Sequence, residues 1–357
     1  MIVKNIKANG FPGLGKEFMV SMDVTENYDT AVKKGKSGIE FPAHFIHDDK
    51  KISPVYILSP LPSEKLMYNS LFYILGFLPH ISSKYLQELF NELSKTPTAN
   101  YLAYLSVEFF MSQDDNVLYK YSCRLNQEGF WSQRLLRKED KLWIDISTDE
   151  DLSLSSVLTD KNYPNVLYFD EKAIRPNGQK NMFDSHKEIT YSLCMPILEE
   201  VEELMKGARF KNYFCQIVRH MGLKEPYSND MISSLDLYKE DNKTSIQLIT
   251  DRRPKGINLM SCDIAYIRKF IFMAAFALVL YKGSSILYVT NLDEILGIVE
   301  MRSFLATMVN TDTNKYKSQI IFTLSDANKL EQILKTLSSK PETQKLSLQQ
   351  PLLTMRT

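Results

Sequence analysis

Two short runs with no charged residue, SILYV at 285–289 and QIIFT at 319–323, lie in the last quarter of the chain with a helical segment between them. A strand that does not alternate polar and apolar residues is buried on both faces, as in a parallel sheet covered by helices. A third run, VYIL at 55–58, suits the same sheet. Helical patterns at 263–281, 300–309 and 327–337 flank the two late strands. Helix, strand, helix, strand, helix predicts an α/β fold.

The rest of the pattern is antiparallel. Residues 2–8 and 17–24 alternate as paired strands across the turn-rich NGFPGLG. Strands are expected at 101–110, 118–125, 130–137 and 142–146, with NQEG and KEDK as turns, which makes a meander. Residues 64–78 and 83–93 read as helices, and 26–53 as polar and irregular. From 189 to about 221 the period turns helical, with Met195, Leu198, Val201 and Met205 on one stripe. Two further strands fit 233–250, divided by DNK.

Composition narrows the function. Forty-three basic residues balance forty-three acidic ones, so overall charge supplies no attraction to nucleic acid or anionic lipid. Cys123, Cys194, Cys215 and Cys262 are far apart, as packed reduced thiols are, with no zinc or disulfide spacing. The start lacks a hydrophobic secretory run, and the apolar stretch 270–281 is too short to cross a bilayer. A cytoplasmic protein with no membrane partner is expected.

Several stretches together carry a resemblance: MIVKNIKANGF, VYILSPLPSEKLMYNSLFYILGFL, the 116–146 meander, INLMSCDIAYIRKFIFMAAFALVLYKGSSILYVTNLDEIL and NTDTNKYKSQIIFTLSDANKLEQIL. In order and pattern they resemble ABC-type ATPases of the overcoming-lysogenization-defect and abortive-infection kind, relatives of structural-maintenance-of-chromosomes heads. The resemblance implies a P-loop head over residues 1–337. Within it fall a β-rich N-terminal lobe (1–150), a helical insertion (151–230) and a C-terminal α/β lobe (231–337). It also implies a mixed central sheet with an antiparallel meander, followed by a flexible tail at 338–357.

The departures from that family decide the expected activity. SPLPSEKL at 59–66 stands where the phosphate loop G-x-x-x-x-G-K-[ST] belongs. Ser59 and Glu64 replace the glycines, Leu66 replaces the magnesium-binding hydroxyl, and Pro60 and Pro62 remove two amide donors. Glu64 sets a negative charge beside the phosphates, a repulsion of about 4 kcal/mol per unit pair at ~4 Å and an effective dielectric near 20. Ser63 and Lys65 remain as a vestigial phosphate loop. The family's Asp-Glu pair falls on Thr290 and Asn291, with Asp293 and Glu294 two and three residues beyond Asn291. SCDIAY lacks the signature glycine, and Ser325 takes the switch-histidine position. A pseudo-ATPase with degenerate Walker motifs is expected, with no catalytic residue, metal or cofactor.

Other stretches supply the alternatives. KKGKSG at 33–38 holds a Gly-Lys-Ser but no strand precedes it, so it reads as a basic turn; an active ATPase with an atypical loop, binding ATP and magnesium, would be built there. HFIHDDK at 44–50 reads as a loop rather than a metal site. Arg134, Arg137 and Lys138, and Arg252, Arg253 and Lys255, offer contacts to DNA or RNA phosphates in a nucleic-acid-binding alternative. By resemblance, the expected role is a structural or regulatory subunit in prokaryotic defence against phage or plasmids. It would dock on an active ATPase head, a nuclease or another effector, or form a homodimer.

Overall fold

All five residues of Ile286–Thr290 and all five of Gln319–Thr323 are buried, as their lack of charge requires. The computed structural model describes residues 2–10, 18–23, 45–47, 50–52, 55–58, 102–110, 116–126, 129–146, 166–170, 198, 200–240, 243–283, 286–309, 313–314, 317–325, 329 and 332. The strands of the N-terminal half are β1 (Ile2–Asn9), β2 (Phe18–Ser21), β3 (Phe45–His47), β4 (Lys50–Ile52), β5 (Val55–Leu58), β6 (Ala103–Phe110), β7 (Tyr119–Asn126), β8 (Gly129–Glu139), β9 (Leu142–Asp145) and β10 (Val166–Asp170). Then come helix α1 (Ala208–His220), β11 (Ser234–Glu240), β12 (Lys243–Thr250), β13 (Arg253–Asn258), α2 (Ile264–Lys282), β14 (Ile286–Thr290), α3 (Leu292–Ile295), α4 (Ile298–Val309) and β15 (Gln319–Thr323).

β10, β14, β15 and β5 form a parallel sheet in that order, so the three apolar runs do share a sheet. Among the described residues this sheet is wholly parallel, not mixed; the antiparallel strands build separate sheets. One is six-stranded, β2-β1-β6-β7-β8-β9, and contains the expected meander. The others are β11-β12-β13 and the β3-β4 hairpin.

α2 explains the 270–281 run. Every residue from Phe270 to Leu280 is buried, so the helix is apolar all round because it is enclosed by protein. Phe210 and Phe214 of α1 meet its Tyr281 and Phe270 edge-on. On another side, Phe304 of α4 packs between Phe276 and Phe322 of β15. Asn314 pins the α4–β15 connection through its amide, donating to Met308 O and Ser318 O and accepting from Ser318 N.

Three features differ from the sequence reading. Val166–Asp170 is a parallel strand inside the segment expected to be a helical insertion. Phe45–His47 is a strand paired with Lys50–Ile52, not a loop. Arg253–Asn258 is the edge strand of its sheet, which tolerates Pro254 because an edge strand has backbone positions that owe no hydrogen bond to a neighbour. The expected helices at 64–78 and 83–93 and the tail lie outside the described residues. Of the expected helix at 327–337, Lys329 and Gln332 are described, and both are helical.

Candidate functional site

Parallel strands end on one side, and in open α/β sheets ligands sit outside those carboxyl ends. Here the ends are Asp170, Thr290, Thr323 and Leu58. The chain leaves β5 at Leu58 directly into 59–66; Ser63 and Lys65, expected in a vestigial phosphate loop, lie outside the described residues.

β14 stops at Thr290, and Asn291 then turns the chain with φ 50 and ψ 50, a left-handed conformation that asparagine tolerates better than most residues. Its backbone N–H donates to Thr323 Oγ1 at 2.9 Å, tying the ends of β14 and β15 together. Its buried side-chain Oδ1 has no hydrogen-bond partner among the described residues. Thr290 is also buried. Both positions where the resemblance puts an acid pair are therefore neutral and enclosed.

The next acids part ways. Glu294 is exposed on the single-turn α3. Asp293 turns inward, its carboxylate 1% exposed, and is fully engaged. Oδ1 accepts from Ser325 N and Oδ2 from Ser325 Oγ, both at 2.6 Å, while Lys329 Nζ stands 3.0 Å from Oδ2. Ser325, where the resemblance puts a switch histidine, is thus a hydroxyl donor to a buried carboxylate. The sequence offered no signal for Lys329, whose partner Asp293 lies 36 residues earlier in the chain.

The SCDIAY segment is equally closed. Leu259–Ser261 is a 3-10 turn, and Asp263 caps α2 by accepting Tyr266 N–H at 2.9 Å. The helix N-terminus, where a phosphate would be favoured, already holds a carboxylate. Tyr227 O–H donates to Ser261 O and Tyr266 O–H to Lys224 O, so loop 224–228 is laced to this turn. Burial pushes the Cys262 thiol up to about 11, which keeps it protonated and unreactive at neutral pH.

Neither basic cluster survives intact. Arg137 points away from Arg134 and Lys138, as strand alternation demands, and pairs with Glu139 at 2.5 Å. Arg253 meets buried Glu225 at 2.9 Å, and Arg252 meets Asp230 at 3.5 Å. KKGKSG, His44, Asp48 and Asp49 lie outside the described residues. Among the described residues no three His, Cys, Asp or Glu side chains converge as a metal site would. Cys123, Cys215 and Cys262 are free and buried.

No family model matches the chain, and no curated protein does. Among solved structures it is similar to an SMC head bound to the C-winged helix domain of ScpA, with 11% identity, TM-score 0.49, and 93% of this chain and 92% of that one covered. An SMC head domain from Thermotoga maritima gives 11% identity, TM-score 0.41 and coverages of 93% and 92%. An Smc head with an extended coiled coil, bound to the C-terminal domain of ScpA derived from Pyrococcus furiosus, gives 11%, 0.46, 93% and 91%. These TM-scores lie below the level at which two chains are said to share a fold.

Proposed function

We propose that the chain is a head-like protein of ABC-type ATPase architecture that has exchanged its nucleotide site for internal ion pairs and works by docking on a protein partner. The observation that carries this reading is Asp293. It is the buried acid nearest the carboxyl end of β14, and both its oxygens are committed to Ser325 and Lys329. Three donors already hold this carboxylate in a low-dielectric site, so a divalent cation recruited there competes with an established ion pair.

Three further features support it. Thr290 and Asn291 supply no charge. Asp263 occupies the α2 N-terminus, so a second anion there meets like charge. The 59–66 loop has two prolines, Glu64 and Leu66 where a triphosphate and its metal need amides and a hydroxyl. In this reading the protein is a regulatory subunit; by its sequence resemblance, the setting is prokaryotic defence against phage or plasmids.

Purified protein incubated with labelled ATP and magnesium should neither retain nucleotide at millimolar concentration nor turn it over. Robust hydrolysis abolished by Lys65→Ala overturns the reading. Hydrolysis abolished by Lys36→Ala instead assigns the activity to KKGKSG.

A further inference from the structure

Strand register gathers cations that the sequence scatters. Residues paired directly across neighbouring antiparallel strands point to the same side of the sheet. One row therefore runs Met19, Lys7, Ser106, Ser122, Arg134. The next runs Ser21, Asn5, Glu108, Lys120, Leu136, Asp145. Tyr104, Arg124 and Ser132 form a third, and Lys138 pairs with Trp143. Lys7, Lys120, Arg124, Arg134 and Lys138 thus share one face with two carboxylates, Glu108 and Asp145.

Each of those acids meets one of the five cations. Glu108 accepts from Asn5 Nδ2 at 2.8 Å and lies 3.9 Å from Lys120, and Asp145 lies 3.8 Å from Arg134, whose side chain stays 68% exposed. Ser122 lies beside Lys120, Arg124 and Arg134, whereas Ser106, next along its row, is buried, so the open part of this face is the β7–β9 side. At one end, the Lys120 ammonium stands 5.7 Å from the centre of the Trp143 ring, and Tyr104 marks the other. The opposite face carries Leu105, Val107, Phe109, Tyr121, Cys123 and Leu135, all buried.

We infer that this face of the six-stranded sheet binds single-stranded nucleic acid, with the cations on phosphates and Trp143 as a stacking platform. A flat basic floor with an aromatic ring suits an unpaired strand, whose bases are free to stack. The inference is independent of the nucleotide site, which lies at the edge of a different sheet.

The test is fluorescence anisotropy with labelled oligothymidylate at low salt, run beside the same length of duplex. Micromolar binding is expected, with affinity falling as salt rises. Arg134→Glu with Lys138→Glu should weaken it at least about tenfold and lower the salt slope by about 0.7 per lost phosphate contact. Trp143 emission should be quenched on binding, and Trp143→Ala should cost about tenfold. Arg137→Glu, on the other face of the same strand, should leave binding unchanged. Absence of binding, equal loss with Arg137→Glu, or preference for duplex with unchanged tryptophan emission each overturns the inference.

Discussion

The side-chain amide of Gln319 brackets the backbone of Val3: Oε1 accepts from Val3 N at 2.6 Å and Nε2 donates to Val3 O at 2.8 Å. Residues 316 positions apart thus join the first strand of the antiparallel sheet to the last strand of the parallel one, in buried surroundings. β1 is irregular at this point, its register shifting between Val3 and Asn5. The amide supplies the donor and acceptor that the irregular strand needs.

Gln319→Leu keeps the volume and removes both partners, stranding a buried N–H and C=O. Each orphan costs about 1–3 kcal/mol, so urea unfolding should show a loss of about 2–6 kcal/mol. A loss below about 1 kcal/mol means the two sheets are held by apolar packing alone.

Gly10 and Gly222 share positive φ, 75 and 71, but not surroundings. A Cβ on Gly10 falls 2.3 Å from Leu102 O, a backbone atom that cannot swing aside, whereas a Cβ on Gly222 meets nothing within 4 Å. Gly222→Ala should cost only the left-handed strain, about 1 kcal/mol, and Gly10→Ala clearly more. Thermal melts of the two variants in parallel test the ranking; equal melting temperatures contradict it.

Alkali should unfold the protein early. Burial raises the Cys123 thiol from 9.0 to about 12 and the Tyr56 hydroxyl from 10.0 to about 12. Both are neutral when protonated, so between the ordinary and raised values the native state holds protons that the unfolded chain has lost. Stability is complete below about pH 9 and declines as pH climbs toward about 12. Urea midpoints should fall steeply across that window, and Cys123→Ala should flatten the decline.

Much of the fold was legible in the sequence for one reason: its central strands are either uniformly apolar or cleanly alternating. Val55–Leu58, Ile286–Thr290, Gln319–Thr323 and the β6–β9 meander announce themselves. β13 does not, because RPKGIN carries a proline, a glycine and two charges and is a strand only through pairing with β12. β10 is four apolar residues and an aspartate in a polar stretch, and its place at the sheet edge comes from β14. Charge clusters misled for a geometric reason. Neighbours in sequence, Arg134 and Arg137, face opposite ways, while Lys7 and Arg134, distant in sequence, share a row across the sheet.

The site at the end of β14 was half legible. That Thr290 and Asn291 carry no charge could be read from the chain, but the inward turn of Asp293 follows from the left-handed Asn291, which no local pattern marks. That turn makes a sharp prediction. Lys329→Met leaves a carboxylate that is 1% exposed without its counter-ion, held only by Ser325. Because Lys329 is itself 37% exposed, the cost is discounted from that of a fully buried pair to about 1–3 kcal/mol. Lys206→Met, which breaks an exposed pair with Glu203, should cost under about 0.5 kcal/mol. Ser325→Ala, losing one charge-assisted bond while the backbone donor stays, should fall near the Lys329 value. Ser325→His introduces the residue that the resembled ATPases carry at the corresponding place yet removes a short hydroxyl bond from Asp293, so under the proposed function denaturant titration should show a destabilised protein and ATP assays no turnover. Hydrolysis appearing in Ser325→His means the pocket retained every other part of a working ATPase, and the ion-pair exchange argued for Asp293 fails.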